Sequence, residues 1–494
     1  MAEAHEYDLL ILNGIVVTDT QTVELDIAVN NGMVAKVVPR NALSGVSARR
    51  ILDAEGGYVM PGGIDSHESF IMAGGRCADD YESGTRSAIA GGTTTIISFA
   101  PQSKAEPSLL SVLADTHALA DSNCYCDYSF HALCTNAGPL AISEFPALRK
   151  AGISSLKFFM AFDDLELHDD EILDVLLEAR RNQITILIHA ENGKVINWMT
   201  KQLEKKKLFD PKYHVNNHPP VAETEAASRA IAFSSFIDVP ILIVHVSQPA
   251  VAAYIREAQQ KGLPIYAETC PQYLFLTREY LNHPGFEGAK CVCSPPPRNE
   301  ADHEGIWQGL ENGTFTVFSS DHCPFVYEDS KGGKKSSIST EYPNGRFQYI
   351  PNGCPGVETR LALAMNAKRL KMEKFVEVTA TNAAKMYGLY PKKGALIPGE
   401  SDADITIWYP EGETAMEFKL KNEMLHHNVD YTPYEGQILK AWPRYTILRG
   451  RIVWDRDNGG VVGKKGGYGT FLERGVSSLA RPLNPEKEWD PEGF

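Results

Sequence analysis

Between residues 58 and 318 the chain alternates short apolar runs with polar, helix-patterned stretches, and this alternation limits the possible folds more than any other feature. The runs are 58–67, 94–99, 127–131, 155–159, 184–189, 239–245, 264–268 and 314–318, each nearly continuous in apolar residues. Strands of that texture are buried on both faces, as in a parallel sheet covered by helices. The intervening segments 170–181 and 223–236 carry helical patterning. Eight such units favour a (β/α)8 TIM barrel, an α/β fold, over an open doubly wound sheet.

The flanks have a different texture. Residues 8–18 form two β-rich runs broken by Asn13-Gly14, a hairpin-turn signal, and alternation continues through 25–29 and 34–38. The same pattern returns at 402–408 and 445–454. Because termini commonly lie close together, both ends are expected to build one small β-sandwich. The expected divisions are 1–59 and 401–455 for the sandwich, 60–400 for the barrel and 456–494 for an extended tail. That tail, rich in Gly, Pro and charge, is expected to be disordered or laid on a neighbouring subunit.

A chain of 494 residues with 43% hydrophobic content can bury a large core, and a net charge of −15 argues against a nucleic-acid partner. The opening Met-Ala-Glu-Ala-His-Glu-Tyr has neither a basic stretch nor an apolar core, and no segment sustains the roughly 20 apolar residues of a bilayer span. A cytoplasmic protein without membrane contact is the expectation. The nine cysteines are read as reduced thiols, and the single-spacer pairs Cys124/Cys126 and Cys291/Cys293 do not have zinc-finger spacing.

Polar residues fall at one end of the apolar runs. His67, Lys157, His189, His245 and Asp321 lie within or at the carboxyl ends of candidate strands, the face of a barrel on which catalytic groups converge. Taken singly, each histidine also fits a satisfied core residue. Lys157, between Leu156 and Phe158, is costly to bury as a cation and must be neutralised, paired or modified. A carbamylated lysine beside two histidines and an aspartate could hold divalent metals about 3.5–4 Å apart. On the first strand, alternation places His67 and Ser69 on one face, so a possible two-imidazole clamp has one imidazole and one hydroxyl.

Other signals are weaker. Gly91-Gly92-Thr93-Thr94-Thr95 precedes a strand and is read as a turn, since a phosphate loop would follow one. Glu204-Lys205-Lys206-Lys207 reads as a solvated helix end, and Lys331 to Lys335 as a surface loop with a lid as the alternative.

Several longer motifs run along nearly the whole chain: Pro61-Gly62-Gly63-Ile64-Asp65, Lys157-Phe158-Phe159-Met160-Ala161, His189-Ala190-Glu191-Asn192, Glu268-Thr269-Cys270-Pro271-Gln272-Tyr273-Leu274, Ser320-Asp321-His322-Cys323 and Pro351-Asn352-Gly353. With these the chain resembles the dihydropyrimidinase and hydantoinase branch of the cyclic amidohydrolases, which includes the collapsin response mediator proteins. The resemblance implies a TIM barrel with a β-sandwich, a homotetramer, and hydrolysis of a cyclic ureide to an N-carbamoyl amino acid. It implies two zinc ions sharing carbamylated Lys157, one on His67 and Asp321 and the other on His189 and His245. Asp321 would carry a proton to the leaving nitrogen, and the substrate would meet the backbone of Ser294 and Asn352.

Two positions depart from the family pattern. Ser69 stands where the family has the second histidine of His-x-His, and Phe162 where it has a tyrosine that steadies the oxyanion. Serine is a poor zinc ligand, so one zinc, on His189 and His245, is the alternative to two. The alternatives to a hydrolase are a non-catalytic relative of the collapsin response mediators, acting through oligomer and partner surfaces, and a site run in reverse to close a ureido-acid ring. Ring-size selection is assigned to loops such as 71–80.

Overall fold

The computed structural model describes residues 5–71, 77–412, 416–463 and 467–493. Its centre is an eight-stranded parallel sheet in simple sequential order. The barrel strands are, in turn, Gly63–Glu68, Thr93–Pro101, Asp127–Leu133, Ser155–Phe159, Thr185–His189, Ile241–Ile243, Ile265–Thr269 and Val317–Phe318. A parallel bridge between Glu68 and His322, just past the last strand, brings the two sheet edges together. The TIM barrel expected from the βα alternation is thus the architecture observed.

Side-chain alternation sorts the strands into two environments. Ile64, Ile97, Leu187, Leu242 and Val317 pack in one inner cluster with Met386, Tyr387, Leu472 and Ala480. Phe130, Leu156, Phe158, Ile186, Ile188, Ile241, Ile243 and Ile265 belong to the larger cluster that includes helix Asp169–Asn182 residues Ile172, Val175 and Leu176. Period two accounts for the division. Lys157 pairs in register with Leu133 on one side and Leu187 on the other, so it shares the inner face with Leu187.

Both flanks contribute to a nine-stranded sheet. Its link to the barrel is strand Tyr58–Pro61, which pairs antiparallel with Ile405–Trp408. The apolar run 58–67 is therefore two strands, the first in the terminal sheet and the second in the barrel. Gly62 separates them, and a Cβ there would lie 2.2 Å from Thr94 Oγ1. Asn13-Gly14 is not a hairpin turn: strand Tyr7–Val17 runs through it, with a register shift between Ile11 and Gly14. Asn13 takes φ +58, which an asparagine tolerates, and its N–H donates to Asp26 Oδ1 at 2.9 Å.

Within the tail, residues 468–480 are seated on their own barrel. Leu472 and Ala480 enter the inner cluster, and the buried Arg474 guanidinium donates to Ser129 Oγ at 2.9 Å and Ser155 Oγ at 2.7 Å. The 331–335 segment is no free surface loop either. Lys334 is fully buried, and its ammonium contacts three backbone carbonyls. All nine cysteines are free thiols. Among the described residues no helix is long and apolar enough to cross a membrane.

Candidate functional site

The carboxyl ends of five barrel strands bring together His67, Lys157, His189, His245 and Asp321. His67 Nε2 lies 2.8 Å from Lys157 Nζ and 3.3 Å from Asp321 Oδ1. His189 Nδ1 lies 2.8 Å from His245 Nε2. The two groups adjoin, with the His67 and His245 rings 5.4 Å apart. All four strand-borne bases are buried. His245 and Asp321 have φ of +40° and +51° and Phe162 has +70°, a left-handed backbone that costs non-glycine residues energy and concentrates at functional sites.

Two carboxylates beneath the cluster fix the imidazoles. Glu268 Oε1 sits 2.6 Å from His67 Nδ1, and this contact turns Nε2 toward Lys157 and Asp321. Glu191 spans two rings, 2.9 Å from His189 Nε2 and 2.9 Å from His218 Nδ1. His189 consequently presents Nδ1 to its neighbour. Neither glutamate was among the candidate residues, although Glu268 carries the same signal as Lys157, a charge inside an apolar strand. Gln272, also not anticipated, donates from Nε2 to Asp321 Oδ2 at 3.0 Å.

Burial dominates the titration of these groups. It pushes the Asp321 carboxyl up to about 7 and Glu268 up to about 8. It pulls the Lys157 amine below its ordinary value, against the opposing pull of Asp321 and Glu268. His67 and His245 are held well below 6.5, by burial first and then by nearby positive charge. Glu191 goes the other way: burial would raise it, yet the His218 and His189 rings hold it well below the usual carboxylate range.

The departing residues also border this cluster. The Phe162 ring lies 5.3 Å from that of His189 and 6.2 Å from that of His218, and offers no donor. Ser69 follows the first strand, and its N–H donates to His322 O at 2.7 Å. Among the described residues nothing hydrogen-bonds its hydroxyl. Of the loop 71–80, residues 72–76 lie outside the described residues.

Ser294 and Asn352 meet, with Ser294 Oγ donating to Asn352 Oδ1 at 3.2 Å. Among the described residues no partner engages the backbone N–H or C=O of either one. Half-buried peptide groups left open in this way are available to a ligand. Gly353 permits the geometry: it has φ +145, and a Cβ there would lie 2.1 Å from Cys323 O.

The donor set fits a divalent metal. Two buried imidazole nitrogens face each other at 2.8 Å while His245 Nδ1 finds no partner, and neutral nitrogens of this kind suit zinc-like ions. His189 and His245 can hold one ion. His67, Asp321 and Lys157 can hold a second, one imidazole short of a His-x-His clamp. A different acidic group, Asp127, Asp402 and Asp404, also has metal-like spacing. Lys393 Nζ already fills it, at 2.6 Å, 2.9 Å and 2.6 Å from the three carboxylates in that order. Asp127 opens the third barrel strand, so that cluster lies at the other end of the barrel and joins it to the terminal sheet.

Comparison with known proteins identifies the family. Residues 58–453 match the amidohydrolase family. The chain is 37% identical to a D-hydantoinase of Streptomyces coelicolor, over 94% of this chain and 97% of that protein. It is 38% identical to a D-hydantoinase of Geobacillus stearothermophilus, over 94% and 96%. The crystal structure of dihydropyrimidinase from Brevibacillus agri superposes with a TM-score of 0.88 at 36% identity, covering 96% of this chain and 99% of that one. The chain belongs to the amidohydrolase family.

Proposed function

We propose that the protein opens the amide bond of a cyclic ureide, hydantoin or imide, and that it uses divalent metal, zinc by its donor set, to do so. The observation that carries the reading is the pairing of the His67, Lys157, His189, His245 and Asp321 cluster with the open peptide groups of Ser294 and Asn352. Relatives named D-hydantoinase along 94% of the chain support it. The same relatives speak against the non-catalytic alternative, as does the retention of both imidazole pairs' remaining members and the lysine.

In this reading His189 and His245 would hold one ion and His67 and Asp321 the other, with Lys157, once carbamylated, as a further anionic ligand. The lowered amine of Lys157 favours the neutral form that takes up carbon dioxide. Bound metal supplies Lewis-acid polarisation of the scissile carbonyl and a water made acidic enough to attack it. Ser294 and Asn352 would fix the ring by backbone hydrogen bonds to its N–H and C=O groups. Asp321, whose Oδ2 accepts from Gln272 Nε2 at 3.0 Å, would take a proton at its carboxylate and return it to the ring nitrogen as the C–N bond breaks. From a ureide the product is an N-carbamoyl amino acid. Homotetramer assembly, which rests on the resemblance, and a cytoplasmic location, which rests on the sequence pattern, belong to the same reading.

Elemental analysis after purification with zinc and bicarbonate, together with hydrolysis of dihydrouracil, hydantoin and phenylhydantoin, tests the proposal. Metal at one to two ions per chain with turnover of at least one ring supports it. Near-zero metal and no turnover would overturn it.

A further inference from the structure

Lys334 is a fully enclosed ammonium near the site, and among the described residues it has no carboxylate partner. Its Nζ donates to Val292 O at 3.0 Å, Pro351 O at 2.7 Å and Gly353 O at 2.8 Å. An ammonium has three protons, and each has one acceptor here. The three carbonyls come from two segments far apart in sequence, one ending at Ser294 and the other enclosing Asn352. A carbonyl that points at the ammonium sends the N–H across its own peptide plane the opposite way. Lys334 therefore holds peptide plane 351–352, which carries the Asn352 N–H, and braces planes 353–354 and 292–293, each one plane removed from an open group of Asn352 or Ser294.

The lysine is itself aimed by local structure. Its backbone N–H donates to Val326 O at 2.9 Å, and the next N–H to Tyr327 O at 3.2 Å. Gly333 allows that approach, since a Cβ there would lie 2.0 Å from Val326 O. The two segments are also braced directly, Gly353 N–H donating to Val292 O at 3.0 Å and His214 Nε2 to Cys293 O at 2.8 Å. Lys334 Nζ is the group that reaches both segments at once through charge-assisted bonds, which are the stronger kind.

We propose that Lys334 is a positioning residue for substrate binding, holding the peptide groups of Ser294 and Asn352 at the spacing a planar cyclic ureide requires. This rests on the substrate class proposed above. Because Lys334 touches neither the imidazoles nor Asp321, it acts on ring binding and not on the metal cluster.

The test compares wild type with Lys334→Met and Lys334→Gln, the second keeping an amide donor. Three quantities are measured: KM and kcat on the ring the wild type turns over, metal content, and backbone hydrogen exchange of 291–295 and 350–355. The expected result for Lys334→Met is a KM raised roughly tenfold or more with kcat within about threefold, the signature of lost binding that is uniform along the reaction. Metal content stays at the wild-type value, exchange accelerates in both segments together, and Lys334→Gln falls between. An unchanged KM, or a fall in kcat that tracks metal loss, overturns the proposal. Should the Met variant fail to fold, the Gln variant decides by the same measures. If the wild type turns over no cyclic ureide, the substrate reading fails on its own, and unchanged exchange in the two segments would then overturn the role of Lys334.

Discussion

Glu268 Oε1 lies 2.6 Å from His67 Nδ1, and this contact fixes which nitrogen of His67 faces Lys157 and Asp321. The glutamate is fully buried, and burial lifts its carboxyl to about 8. The pair has the form of a carboxylate–histidine support for a metal ligand, whose loss typically costs about 10–100-fold in metal affinity. Glu268→Gln is expected to weaken the ion on the His67 side by that order and to leave the His189 and His245 side intact. Chelator competition followed by metal analysis reads this as loss of one ion before the other. Unchanged competition curves would count against it.

Restoring the two departing positions should act separately. Ser69→His adds the missing imidazole and is expected to raise metal occupancy toward two ions per chain. Phe162→Tyr keeps the ring beside His189 and adds one hydroxyl donor, and an oxyanion donor is typically worth about 10²–10³ in turnover. The double variant is expected to gain in kcat on dihydrouracil or hydantoin, measured by carbamoyl-product assay. A double variant with more metal and no gain in kcat would show that Phe162 does not stand where charge develops.

His214 makes the folded protein sensitive to acid. Burial and the nearby His218 hold its imidazole well below the usual 6.5, so the folded state stays neutral where the unfolded chain takes up a proton. The sign follows: its contribution is fully present above about pH 6.5 and is lost as the pH falls below that value. The loss is on the order of 1 kcal/mol between roughly pH 7.5 and pH 5.5. In urea titrations, the difference in unfolding free energy between wild type and His214→Gln should shift by that amount in favour of the variant on acidification. A difference that stays flat with pH would refute the assignment.

Lys393 stands inside three carboxylates at the junction of barrel and terminal sheet. Asp127 keeps a second partner in Arg449 and Asp402 one in Lys392, while Asp404 depends more on the ammonium. Removing one partner of a buried ion group typically costs about 3–5 kcal/mol, because the remaining charges lose compensation. Lys393→Met is therefore expected to lower the thermal midpoint markedly, with metal content per folded chain unchanged. A change in metal content without loss of stability would instead mark the aspartates as a metal site.

The expectation of a barrel came from one physical regularity, that strands buried on both faces must be almost wholly apolar. His67, Lys157, His189, His245 and Asp321 were visible for the same reason, since a basic or acidic group in or just past such a run has few uses there other than chemistry. The Asn13-Gly14 signal misled because its local chemistry, an asparagine able to take positive φ, serves a bulge as well as a turn. Only pairing with strand Thr22–Asn30 decides between them. Run 58–67 was likewise split by pairing partners that are more than three hundred residues away in sequence.

By itself the sequence determined the βα order and the strand ends that carry the bases, and the resemblance added the two positions, Ser69 and Phe162, that depart from the family pattern. Tertiary structure alone decided how those groups are held. The tautomer of His67 depends on Glu268 across the barrel, that of His189 on a carboxylate shared with His218, and the open peptides of Ser294 and Asn352 on an ammonium that reads as surface in the sequence. The reason is physical: a run of apolar residues reports its own burial, whereas a hydrogen bond between distant segments leaves no periodicity in either of them.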